Sequence, residues 1–174
     1  MPATEPIPAE INQAPPILDL ARFSSSNRRR ISAPALRTFL AIADLWALSE
    51  EERLLTLGLP SRSTYYNWIK AVREHHDITL GVDVLTRISA ILGIHQALGV
   101  LHLSERGGVT WLRTPHGAPV FGGQPPLALV ACGAQDGLMT VRRFLDAARG
   151  GLYMPPNELD SALRPYTDAD IVFT

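Results

Sequence analysis

The feature that most constrains this chain is a long apolar segment near its middle, residues 80–103. Wound as a helix, its large apolar side chains cover most of the helix circumference. A helix that is apolar nearly all round must be buried, either in a protein core or in an interface between subunits. His95 and His102 fall roughly on one face of this helix. We interpret them as partly buried, hydrogen-bonded core residues, because no third residue completes a metal site.

Composition indicates a folded, intracellular protein. Of the 174 residues, 46% are apolar and 19% are charged, which supplies a core and argues against disorder. The net charge of -1 excludes a polybasic coat for nucleic acid, although it allows a local DNA-binding face. A single cysteine, Cys132, excludes an intramolecular disulfide, and we expect it to be a small buried residue. We find neither a signal peptide nor a membrane-spanning apolar run, so we expect a cytoplasmic protein without a membrane segment.

Helical spacing dominates the rest of the chain, so the predicted fold class is mainly α. Prolines interrupt residues 1–31, which we expect to be a flexible leader. Its polar and basic stretch, Ser24–Arg30, is either a solvated charge run or an arm that touches nucleic acid or a partner. A first helix is expected from Ser32, with Pro34 in its first turn.

Residues 49–73 have the pattern of a helix-turn-helix, although an ordinary helical hairpin with a polar outer face fits as well. Ser49 and Glu52 carry the signature of a capping box, the first helix stops at Gly58, and a second helix starts near Ser61. The second helix has a polar face on which Arg would pair with guanine and Asn with adenine. The predicted DNA-contacting residues are Arg62, Ser63, Thr64, Tyr66, Asn67 and Lys70. Recognition of paired half-sites would require a homodimer.

The C-terminal third contains a loop rich in proline and glycine, residues 114–126, and two short helices. We expect these helices at roughly 126–132 and 136–148, and possible short strands at 117–121 and 170–173. Motifs of hydrolases, zinc proteases and phosphate-binding loops are missing from the sequence, so we expect no enzymatic activity, no metal and no cofactor.

Residues 121–151 resemble the Xre/MbcA/ParS toxin-binding domain of bacterial antitoxins. The usual pattern of that domain is Phe-Gly-Gly followed by Pro-Leu, then a glycine, then a valine and a leucine four positions apart around a basic pair. This sequence has those residues at Phe121, Gly122, Gly123, Pro126, Leu127, Gly133, Val141, Arg142, Arg143 and Leu145. The segments around Trp46, Gly58, Trp68 and Leu92 look like the Xre-type helical domain that precedes it, so the resemblance covers about residues 34–152.

The resemblance implies an antitoxin for a RES-type toxin, a class similar to ADP-ribosylating enzymes that destroys NAD. Such an antitoxin is not an enzyme; it covers the active site of the toxin and usually represses their shared operon by binding operator DNA. The domains would be a leader at 1–31, an Xre-like helix-turn-helix domain with the central helix at 32–103, and a toxin-binding domain with its tail at 104–174. The main alternative is a DNA-binding transcriptional or partition-type adaptor without a toxin partner.

The tail, residues 153–174, carries four acidic residues against one arginine and has an apolar end. A pocket that binds NAD must hold positive charge for two phosphates, so we expect the tail to dock in or over that pocket of the toxin. In the alternative, the tail packs on its own domain and the arginines pair with the antitoxin's own carboxylates. The predicted toxin-contacting residues are Arg142, Arg143, Arg149, Tyr153, Asp168, Asp170 and Phe173.

Overall fold

The computed structural model describes residues 23–151, and all regular structure in that range is helical. The α-helices are α1 (Ser25–Leu45), α2 (Glu50–Thr56), α3 (Arg62–Arg73), α4 (Val82–Leu101), α5 (Glu105–Arg113), α6 (Pro126–Val130) and α7 (Gln135–Arg149). A short 3₁₀ helix, Pro119–Phe121, precedes α6. The predicted mainly α class with a long central apolar helix is confirmed.

The chain divides into two compact units, residues 1–89 and 90–174, so their boundary lies inside α4. In the first unit α1 packs against α3, and in the second α6 packs against α5 and α7. The sequence placed the division after residue 103. A helix that is apolar on nearly every face does not reveal where one core ends and the next begins.

Helix α4 is the one helix among the described residues that is long and apolar enough to cross a membrane. The sequence prediction had found no segment of that length. About half of this helix is buried within the protein. The core helix of a soluble protein passes the same test of length and composition, so this is weak evidence for a membrane span.

Helix α1 starts earlier than predicted, at Ser25 and not at Ser32. The basic stretch from Ser25 onward is therefore helical, and Pro34 lies inside the helix instead of in its first turn. This N-terminal part is tied to the segment before α4. Arg28 Nη1 donates to the carbonyl oxygen of Leu80 at 3.1 Å, and the Leu80 amide donates to Ser32 Oγ at 2.9 Å. These partners are distant in sequence, so the local pattern of residues 1–31 carries no sign of them.

The first three helices all end in the same backbone motif, in which the residue after the C-cap has a positive φ. These residues are Ala47, Gly58 and His75, with φ values of 52°, 85° and 58°. After Gly58, for example, the Leu59 amide donates to the Leu54 carbonyl oxygen at 2.8 Å. Such pairs of hydrogen bonds satisfy the last carbonyl groups of a helix. The predicted stop of α2 at Gly58 and the capping box of Ser49 and Glu52 are both confirmed.

In the second unit, α6 and α7 lie close to their predicted positions, but two other expectations are wrong and one helix was not predicted. Residues 105–113 form α5, which the Gly107–Gly108 pair concealed. Gly108 is buried, and a Cβ there would lie 3.0 Å from Leu98 Cβ, so this glycine permits a close approach of two segments. Residues 119–121 form a 3₁₀ helix where a strand at 117–121 was considered possible. Cys132 is exposed, because α6 ends before it at Val130.

Candidate functional site

Four aromatic rings form a cluster in the second unit. Trp111 comes from α5, His116 from the following loop, Phe121 from the 3₁₀ helix and Phe144 from α7. Their ring centroids lie 4.9 to 6.1 Å apart, mostly in edge-to-face geometry. Aromatic pairs in this geometry stabilise beyond the area that they bury. The cluster therefore fixes the 3₁₀ helix and its loop against α7.

The loop beside this cluster is held by its own hydrogen bonds. His116 Nδ1 accepts from the Ala118 amide at 3.0 Å, and the His116 amide donates to the carbonyl oxygen of Gln124 at 3.3 Å. Gly122 and Gly123 take positive φ values of 55° and 76°, which glycine adopts without steric strain. The Phe-Gly-Gly motif thus supplies one buried ring, Phe121, and the sharp turn that follows it.

An open groove of about 530 Å³ lies between the 3₁₀ helix and α7. Val120 on its rim is 45% exposed and so presents an apolar surface at the groove. One guanidinium, that of Arg143, also lies at the groove. The lining residues are Ala118, Pro119, Val120, Thr140, Arg143, Phe144 and Ala147. The groove was not predicted, because its residues come from two segments that sequence spacing does not bring together.

The three predicted arginines of α7 have different environments. Arg142 is half-buried and its Nε donates to Asp146 Oδ2 at 2.7 Å. Its guanidinium lies over Gly93 of α4, where a Cβ would come within 1.4 Å of Nη1. Arg149 also pairs with Asp146, at 3.8 Å. Both arginines therefore pair with a carboxylate on their own helix, which is what the alternative in the sequence analysis describes.

Arg143 is the arginine of α7 that is most open to a partner. Its side chain is 70% exposed, and its nearest carboxylate, Asp136, is 4.0 Å away. An exposed pair at this distance contributes little to stability. The other predicted toxin-contacting residues, Tyr153, Asp168, Asp170 and Phe173, lie outside the described residues.

A second candidate surface lies on α3. Ser61 caps this helix, its Oγ accepting from the Thr64 amide at 3.1 Å. Tyr65 and Val72 are buried, which orients the opposite face outward. Of the six predicted DNA-contacting residues, five are exposed and Thr64 is half-buried.

Glu50 of α2 contacts two of these six residues, which the sequence did not predict. Arg62 Nη1 lies 3.0 Å from Glu50 Oε1, and the Tyr66 hydroxyl donates to Glu50 Oε2 at 2.5 Å. The hydrogen bond to Glu50 raises the pKa of the exposed Tyr66 phenol above its ordinary value. In the described range, the side chains of Asn67 and Lys70 form no hydrogen bond or ion pair and are exposed.

Residues 23–151 contain no group of three or more metal-binding side chains. His95 and His102 are both half-buried, as predicted. The ring of His102 lies 6.3 Å from that of Trp111, next to the aromatic cluster.

Residues 101–151 match the family described as the antitoxin Xre/MbcA/ParS C-terminal toxin-binding domain. The match includes the whole aromatic cluster and the whole groove. The chain is also 38% identical over 127 residues to the uncharacterized protein y4oB of Sinorhizobium fredii (strain NBRC 101917 / NGR234). That alignment covers 73% of this chain and 92% of y4oB. The chain is therefore related to y4oB along most of its length, and its residues 101–151 belong to the Xre/MbcA/ParS toxin-binding-domain family. No solved structure matches the chain significantly.

The family match assigns residues 101–151, and the geometry described above, to a toxin-binding domain. The Phe-Gly-Gly turn, the aromatic cluster and the groove all lie inside the toxin-binding domain. A toxin is therefore the partner that the family implies for this unit.

Proposed function

We propose that the protein is a cytoplasmic, non-enzymatic antitoxin that binds and neutralises a RES-type, NAD-degrading toxin. The observation that carries this proposal is the match of residues 101–151 to the antitoxin toxin-binding domain. The RES class of the toxin is supported by the sequence resemblance described above. No cofactor is needed, because neutralisation by covering an active site is a binding reaction.

The groove beside the 3₁₀ helix is the proposed docking site for the toxin. Interfaces draw most of their affinity from a few apolar anchors in well-packed pockets surrounded by polar groups. The exposed Val120 and the ring of Phe144 supply such an apolar surface, and Arg143 supplies a charge at its edge. An apolar side chain of the toxin would fill the groove, with a toxin carboxylate near Arg143.

The tail is proposed to extend this interface into the NAD pocket. Its acidic residues, Asp168 and Asp170, would meet basic groups that otherwise bind the phosphates of NAD. Phe173 would occupy an apolar recess. In this arrangement the toxin-binding domain provides affinity and the tail blocks the substrate.

Co-expression with the protein encoded by the neighbouring gene tests the proposal. The neighbour alone should stop growth and deplete cellular NAD, and this chain should restore both and co-purify with the neighbour. The substitution Val120→Asp should reduce capture of the toxin, because it places a charge in the proposed apolar contact. Val82→Asp is the matched control, since Val82 is 40% exposed but lies on α4, outside residues 101–151. A harmless neighbour, or equal capture by both variants, would contradict the proposal.

Operator binding through α3 is the second proposed function, supported by its exposed polar face. Asn67 and Lys70 would contact DNA directly, whereas Arg62 and Tyr66 would first have to leave Glu50. A homodimer would place two α3 helices on paired half-sites. The exposed apolar side chains of Val100, Leu101 and Leu103 are candidates for its interface. If the protein binds operator DNA but the neighbouring gene encodes no toxin that it captures, the protein is a DNA-binding adaptor.

Substitutions on α3 test this second function. Replacing Arg62 or Asn67 by Ala should weaken binding to the operator by about 1–3 kcal/mol, if these residues contact bases. Glu50→Gln should strengthen it, because Arg62 is then released from a competing carboxylate. Unchanged affinity in all three variants would exclude α3 as the contacting helix.

A further inference from the structure

A basic cleft lies on the first unit, between α1 and the turn that follows α3. It encloses about 420 Å³ and is lined by Ser26, Arg29, Arg30, Ala33, Pro34, Arg37, His75, His76 and Asp77. Three arginines therefore line one space, and Asp77 is the single acidic residue on its wall. The cleft is formed by α1 and by the turn that follows α3. Helices α1 and α3 pack against each other.

The three arginines are not used by the fold. Arg29, Arg30 and Arg37 are exposed, and in the described range none of their side chains forms an ion pair or a hydrogen bond. Their neighbour Arg28 differs, because it is half-buried and bonds to the carbonyl oxygen of Leu80. Uncompensated like charges in one cleft repel each other, so the arrangement favours an anionic partner.

The turn after α3 places two histidines in the same cleft. His75 has a φ of 58°, a left-handed conformation that a residue with a Cβ adopts only at an energetic cost. Nδ1 of its neighbour His76 lies 3.5 Å from Oε2 of Glu74. Glycine would close this turn with less strain, yet the turn carries an imidazole into the arginine cleft.

The spacing of the arginines is suited to a nucleic-acid backbone. Arg30 and Arg37 lie two helical turns apart on one side of α1. Seven residues of α-helix extend about 10 Å. That distance is close to the rise of about three nucleotides along one strand of duplex DNA. Arg is also the side chain best suited to phosphate, because its planar guanidinium donates two parallel hydrogen bonds.

We propose that this cleft holds backbone phosphates of duplex DNA, independently of base sequence. The inference rests on the proposed DNA binding and deepens it, because it assigns phosphate contacts to α1 and the His75–His76 turn. Base recognition remains with α3. Contacts to phosphate supply affinity and orientation, whereas contacts to base edges supply specificity.

The test measures the salt dependence of binding to a fluorescent duplex of random sequence. The full-length protein is compared with a triple variant, Arg29→Gln, Arg30→Gln and Arg37→Gln. Each lost phosphate contact should reduce the slope of log affinity against log salt by about 0.9, so the triple variant should lose about 2 to 3. Its affinity at low salt should fall by on the order of tenfold or more. Arg106→Gln on α5 is the matched control, because it removes one exposed arginine from the other unit.

Further measurements separate the possible failures. Circular dichroism checks folding, and the single variant Arg37→Glu gives a second measure of the cleft with less disturbance. The triple variant should still neutralise the toxin, and an Asn67→Ala variant should lose preference for the operator but keep the full salt slope. If the wild type binds DNA and the triple variant has the same slope and affinity, the cleft proposal is wrong while DNA binding stands. A wild type that binds neither random nor operator DNA would overturn both proposals. If an acidic protein segment occupies the cleft instead, the triple variant would bind DNA like the wild type.

Discussion

At the scale of single residues, Ala47 is held in a conformation that favours glycine. It has a φ of 52°, is exposed and closes α1, where its amide donates to the Asp44 carbonyl oxygen at 3.0 Å. Replacing Ala47 by Gly should raise the free energy of unfolding by about 1 kcal/mol, because the left-handed conformation costs residues with a Cβ about 1–2 kcal/mol. Chemical denaturation measures the difference. The control is Ala41→Gly, at an exposed position inside α1, which should lower stability by about 1 kcal/mol. Equal effects at both positions would contradict the assigned turn.

Between elements, Arg142 of α7 and Gly93 of α4 form a contact that neither helix predicts alone. A Cβ at Gly93 would lie 1.4 Å from Arg142 Nη1, so Gly93→Ala must displace the guanidinium, whose Nε donates to Asp146 at 2.7 Å. In an Arg142→Ala background that conflict is absent, and Gly93→Ala should stabilise the helix by about 1 kcal/mol. In the wild-type background the gain should be lost or reversed. A double-mutant cycle measured by denaturation decides this, and additivity of the two changes would refute the contact.

At the scale of the whole molecule, the proposals assign different partners to the two units and to the tail. A chain that ends at Gly151 keeps α1 to α7 and every buried residue described, so it should fold. It should bind DNA like the full chain but neutralise the toxin less well, because the acidic and apolar tail that we expect in the NAD pocket is removed. Growth rescue, cellular NAD and toxin capture measure the loss. Full neutralisation by the shortened chain would rule out the role of the tail.

The sequence alone determined the features that depend on neighbours along the chain. The mainly α class, the capping box of Ser49, the stop at Gly58 and the positions of α6 and α7 all follow from local periodicity and local hydrogen bonds. The toxin-binding motif was also visible, because its residues lie in one continuous segment, 121–151. The exposed face of α3 followed from the same helical spacing.

Only the tertiary structure decided the features that join distant segments. The hydrogen bonds of Arg28 and Ser32 to Leu80 hold the start of α1 against the segment before α4. The absence of a side chain at Gly108 lets α5 approach Leu98 closely. The groove, the basic cleft and the contact of Glu50 with Arg62 and Tyr66 likewise need residues that are separated in sequence. Side-chain periodicity determines which way a residue faces on its own helix, but not which other helix it meets. That pairing is set by packing the apolar faces together, and it determines which charges stay free for a partner.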